Sequence, residues 1–144
     1  MTKEERLLAK AVHYLPCFIN DCDRHETCLH WMAGHYANSD DTIITCVNPN
    51  SLEIKAGSCP HYRENTTVTY AVGMMHLLDD IPLVQARKIK RRLINLFSRT
   101  RFYQYRNGVR PIPPEHQQQI ASICKAEGWT GDIRYDSFEE DYLW

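Results

Sequence analysis

The chain has 144 residues, 43% hydrophobic and 24% charged, the balance of an ordinary globular domain expected to bury roughly two-thirds of its unfolded surface. Seven prolines and six glycines exclude collagen-like and low-complexity classes. No apolar stretch approaches the ~18 residues of a membrane span, and Glu4 and Glu5 with no small-residue cleavage site argue against a signal peptide, so a soluble cytoplasmic protein is expected.

Residues 2–15 read as a helix. Thr2 and Glu5 have capping-box spacing, and Leu7, Leu8, Ala11, Val12 and Leu15 form one apolar stripe before Pro16. Cys28 to Tyr36 reads as a short helix, and the β-branched run Thr42 to Val47 as a strand ending in the turn Asn48-Pro49-Asn50. Thr66 to Val72 alternates like a strand, whereas Met74 to Leu78 looks helical. Asp79 or Asp80 is placed to cap a helix with Pro82 in its first turn, and Ala86, Ile89, Leu93 and Leu96 or Phe97 give that helix a core stripe. Ser98 is a cap for a second helix, Arg99 to Asn107, ended by Gly108. A third helix begins at Pro113-Pro114-Glu115, shows Ile120, Ile123 and Cys124 on one face, and stops at Gly128. The expected fold is mainly helical α+β: a cysteine-anchored part with short strands at 1–78 and a helix-turn-helix-like part at 79–144, sharing one core.

The net charge of −1 conceals a strong asymmetry. Between Asp80 and Glu115 there is no acidic residue, while Arg87, Lys88, Lys90, Arg91, Arg92, Arg99, Arg101, Arg106 and Arg110 all fall there. Those nine are more than half of the chain's seventeen cations, so the remaining eight face eighteen carboxylates, a balance of −10. A local run of this size attracts phosphates by Coulomb energy and counterion release. The last thirteen residues hold five acids against Arg134, interleaved with Tyr135, Phe138, Tyr142 and Trp144, a composition suited to docking on a basic surface.

The segment from Ser98 to Gly108 resembles the recognition helix of the phage-repressor (Cro/repressor-like) helix-turn-helix family, with Phe102 and Tyr105 at the core-facing positions. That resemblance implies that Arg99, Thr100, Tyr103 and Gln104 face the bases. Arg grips guanine and Gln adenine through two hydrogen bonds each. Lys88, Arg91, Arg92, Arg101, Arg106 and Arg110 then serve phosphates, which set register without reading sequence.

Six cysteines in a reducing compartment are not a disulfide framework. Cys17, Cys22 and Cys28 are tightly spaced, and Cys59 follows in Cys59-Pro60-His61-Tyr62-Arg63. Four thiolates from a loop cluster and one distant turn complete a tetrahedral structural zinc site; an iron–sulfur cluster is the alternative reading of the same ligands. His25, His30 and His61 are substitutes for one thiol, while Cys46 and Cys124 fit small buried hydrophobes better. No glycine-rich phosphate loop and no local signature of a catalytic cysteine is present.

The runs Cys17…Cys22…Cys28-Leu-His-Trp31, Val47-Asn-Pro49 and Cys59-Pro-His-Tyr-Arg63 are followed by Gly108-Val-Arg-Pro-Ile-Pro-Pro-Glu115 and the terminal Tyr135 to Trp144. Together they resemble an uncharacterised bacterial domain family of about 150 residues, which implies no known activity. The expectation is a non-enzymatic DNA-binding regulator with a structural zinc site of four cysteines. A protein–protein adaptor using the tail or the basic face, and an iron–sulfur or redox switch, are the alternatives.

Overall fold

Thr2 opens the first helix as its spacing predicts. Its hydroxyl accepts the Glu5 amide at 3.1 Å, and its own amide donates to the Glu5 carboxylate at 2.7 Å, which satisfies two N-terminal donors reciprocally. The structure, a computed structural model, describes residues 2–144. They divide into two compact units: one runs up to Thr67 and takes in Tyr142–Trp144, the other is Val68–Asp141. Among the described residues, no helix is long and apolar enough to cross a membrane.

In the first unit, α1 (Lys3–Ala11) ends four residues before the expected stop at Leu15. Of its predicted stripe only Ala11 is buried, while Leu8 and Val12 stay about half exposed. A 3-10 turn (His25–Thr27) leads into α2 (Leu29–Gly34). The Leu29 amide donates to Arg63 O at 2.6 Å, and Cys28 forms an antiparallel bridge with Glu64. Gly34 is required by close approach: a Cβ there would stand 2.5 Å from the Cys17 carbonyl oxygen.

The strand expected over Thr42 to Val47 does not form. Within that run, among the described residues, only the Val47 amide finds a backbone acceptor, Pro16 O at 3.0 Å, and Ile43 is 90% exposed. β propensity without a partner strand leaves the ladder groups to water. The turn after it does form, with the Asn48 side chain accepting the Asn50 amide at 3.0 Å, and the single turn α3 (Leu52–Lys55) follows. Cys46, expected as a buried hydrophobe, is exposed because that strand is missing.

The second unit holds most of the apolar core. The strands β1 (Thr67–Val72) and β2 (Ser137–Tyr142) pair antiparallel. Ala71 and Ile112 exchange backbone hydrogen bonds of 3.0 and 2.7 Å. Gly73 follows β1 at φ 80°, where a Cβ would run into the Asp136 carboxylate; that carboxylate accepts the Met75 amide at 3.2 Å. Residues 74–81 form successive turns rather than the predicted helix, with Leu77, Asp79 and Ile81 amides each reaching back three residues.

Three helices complete this unit: α4 (Leu83–Phe97), α5 (Arg99–Arg106) and α6 (Pro114–Ala126). Ala86, Ile89, Leu93 and Phe97 of α4 are buried, Phe102 and Tyr105 of α5 face them, and Ile120, Ile123 and Cys124 of α6 close the cluster. Phe97 rather than Leu96 takes the last stripe position. Neither Asp79 nor Asp80 caps α4. Pro82 occupies that position, Asp79 pairs with His76 at 2.7 Å and Asp80 with Arg134 at 2.8 Å.

Candidate nucleic-acid interface and thiol cavity

The face of α4 opposite its core stripe carries Arg87, Lys88, Arg91 and Arg92, all exposed. Residues three and four apart share a helix face, so one stripe is apolar and the opposite one cationic. α5 continues the run with exposed Arg99 and Arg101, and Arg110 stands exposed after it. Among the described residues, Arg92 is the one member of the nine held in an ion pair, with Glu127 at 3.2 Å. Arg106 is half-buried and donates to Asn107 Oδ1 at 3.2 Å.

The expected base readers separate into two kinds. Arg99 and Thr100 are exposed, whereas Tyr103 and Gln104 are half-buried. The Tyr103 ring packs against the core and lies under Lys90, at 5.7 Å from its centroid, and Arg99, at 5.9 Å. The Gln104 carbonyl accepts the Val109 and Arg110 amides at 3.0 and 3.2 Å, closing the loop after α5. The α4–α5 junction is Ser98 alone, at φ 80° and ψ 157°, with its hydroxyl accepting the Arg101 amide at 3.3 Å. A helix-turn-helix joins its helices by three or four residues, so this one-residue junction is tighter than the repressor pattern.

Beneath the cationic helices, the Tyr105 hydroxyl and His116 Nδ1 share a hydrogen bond of 2.6 Å. Burial pushes the Tyr105 phenol up against the opposing pull of Arg101 and Arg110. Burial pushes His116 down, reinforced by Arg101 and opposed by Glu115. The repressor-like resemblance put Tyr105 at a core-facing position but gave no sign of its histidine partner, eleven residues away across a loop.

In the other unit, Cys17, Cys22, Cys28 and Cys59 line a single cavity of about 20 Å³. His25, His30 and His61 line it as well. Since a carbonyl only accepts, Nδ1–H of His25 donates to Cys22 O and that of His30 to Leu15 O, each at 2.7 Å. Burial pushes the Cys17 thiol up; the Ile19 amide opposes this, and the nearby Cys28, Cys22 and Cys59 add to it. Among the described residues, no three Cys, His, Asp or Glu side chains are already drawn together closely enough to hold a metal ion. The thiols share a wall without yet converging on one point. Cys124 is fully buried in the other unit's core, as its helical stripe predicts. Sequence reading missed Arg24 and Trp31 as wall residues of this cavity, because neither type is a ligand and only the folded loop brings them there.

By fold and site, this is an α+β protein that carries a cysteine-lined cavity in one unit and a cation-studded helical layer in the other. The chain belongs to a family of unknown function (DUF6078), whose model spans residues 1–144. This agrees with the whole-chain likeness to an uncharacterised domain family; the match does not extend to the phage repressors. No curated protein and no solved structure matches the chain significantly.

Proposed function

We propose that the chain is a non-enzymatic regulatory protein that binds double-stranded DNA through the cationic face of α4 and α5. The observation that carries this reading is the run of exposed cations on these helices, of which Arg92 alone is in an ion pair among the described residues. A self-neutralising surface would intersperse carboxylates, as exposed helix faces commonly do; here the stretch from residue 81 to 114 contains none. Lys88, Arg91, Arg101 and Arg110 serve phosphates, with Arg92 and Arg106 joining once released from Glu127 and Asn107. Arg99 and Thr100, exposed at the start of α5, reach base edges; Tyr103 and Gln104 act mainly by holding that helix in place.

The test is fluorescence anisotropy with a mixed-sequence duplex at ~50 mM salt, where phosphate contacts are strongest. Arg91→Ala weakens binding to all duplexes alike, and Arg99→Ala levels the preference among them. Absence of binding by the folded wild-type chain at this salt refutes the reading.

A further inference from the structure

The thiol-lined cavity in the first unit carries an inference that does not depend on the nucleic-acid reading. We infer that Cys17, Cys22, Cys28 and Cys59 bind one zinc ion as a four-thiolate structural centre.

Three independent observations converge on it. The first is composition of the wall: four of the chain's six cysteines, drawn from segments up to 42 positions apart, line one cavity. The two cysteines elsewhere, Cys46 and Cys124, lie exposed and in the core of the second unit. The second is size. About 20 Å³ holds roughly one water-sized body, room on the scale of a single ion. The third is the thinness of the surrounding core. Among residues 2–67 the buried apolar side chains are Ala11, Cys28, Leu29, Ala33 and Val47. So few buried side chains in a unit of this length rarely supply enough stability without a staple, and structural zinc contributes folding free energy outright.

Loading requires χ1 rotation of the thiols from the cavity wall toward its centre, a change between staggered wells. One zinc ion and four thiols give the tetrathiolate centre and four released protons. The centre then carries a double negative charge, and Arg24 on the same wall supplies cationic compensation. The Nδ1–H groups of His25 and His30 are held by carbonyls, which leaves Nε2 of each as a potential ligand; the four thiols are assigned as ligands because they alone complete a four-thiolate set on this wall.

The experiment uses the full chain purified without chelator. Elemental analysis should find about one zinc per chain. Cobalt substitution should give the thiolate charge-transfer absorption of a tetrahedral sulfur site. Cys22→Ser and Cys59→Ser should each lose at least half of the bound metal, whereas Cys46→Ser, Cys124→Ser and His61→Ala keep it. Because ligand variants of a metal-stapled unit commonly unfold, thiol alkylation of the wild-type chain is the second measurement. Zinc should protect Cys17, Cys22, Cys28 and Cys59 from alkylation and leave Cys46 reactive. Less than half an equivalent of zinc, bound iron with sulfide, loss of metal in His61→Ala, or protection of a different set of thiols each overturns the assignment. DNA binding is not a readout in any arm, so failure here is separate from failure of the DNA reading.

Discussion

Two tyrosines in the second unit differ in one hydrogen bond, and that difference sets opposite responses to the same substitution. The Tyr105 hydroxyl is hydrogen-bonded to His116, whereas among the described residues the buried Tyr135 hydroxyl has no hydrogen-bond partner. Removing a bonded hydroxyl costs about 1 kcal/mol and strands the partner, whereas replacing an unsatisfied one by hydrogen is neutral or stabilising. Tyr105→Phe should therefore lower the free energy of unfolding by about 1 kcal/mol, and Tyr135→Phe should leave it equal or higher, both read from urea titrations. His116 adds a pH dependence. Its folded pKa lies below the ordinary 6.5 because burial disfavours the imidazolium. At pH above 6.5 it is neutral in both states. As pH falls below 6.5, the unfolded chain takes the proton first, so stability is lost toward the lowered folded pKa. The urea midpoint of the wild type should drop between about pH 7 and pH 5, and His116→Asn should flatten part of that drop.

At the level of elements, the α4–α5 junction is the strained point. Ser98 sits at φ 80° and ψ 157°, a region that glycine tolerates and other residues enter at a cost of about 1–3 kcal/mol. Its hydroxyl offsets part of this by capping α5. Ser98→Ala loses the cap and keeps the strain, and should destabilise by about 1 kcal/mol; Ser98→Gly relieves the strain and should be at least as stable as the wild type in the same thermal scan. The three C-terminal helices were legible because their signals are local: Ser98 as a cap, the Ala86, Ile89, Leu93 spacing, and prolines opening α6. What was not legible depended on distant partners. Thr42 to Val47 has the composition of a strand but no neighbouring strand, whereas the acidic Ser137–Tyr142 has little strand character and becomes β2 by pairing with β1. Asp79 and Asp80 look like caps until His76 and Arg134 engage them.

At the scale of the whole molecule, the two units differ in how much apolar core they carry. Val68–Asp141 has a continuous apolar cluster, and the first unit has five buried apolar residues within 2–67 around a thiol cavity. With zinc held as proposed, chelation should unfold the first unit selectively. With chelator, near-ultraviolet circular dichroism should show an early loss followed by a second transition, while the metal-loaded chain melts later at the first step. The site residues were legible as lists, since cysteine spacing and the acid-free run are visible in one dimension. Their meeting in one cavity, and the withdrawal of Tyr103 and Gln104 toward the core, depended on tertiary structure.

The central claim is that the cationic face of α4 and α5 binds DNA through its phosphates, and the salt dependence of affinity tests it most directly. With roughly four to six phosphate contacts, log K against log salt should fall with a slope of roughly −4 to −5, and Arg91→Ala or Arg101→Ala should each reduce that slope by about one. A slope near zero, or one that these substitutions leave unchanged, would contradict the account.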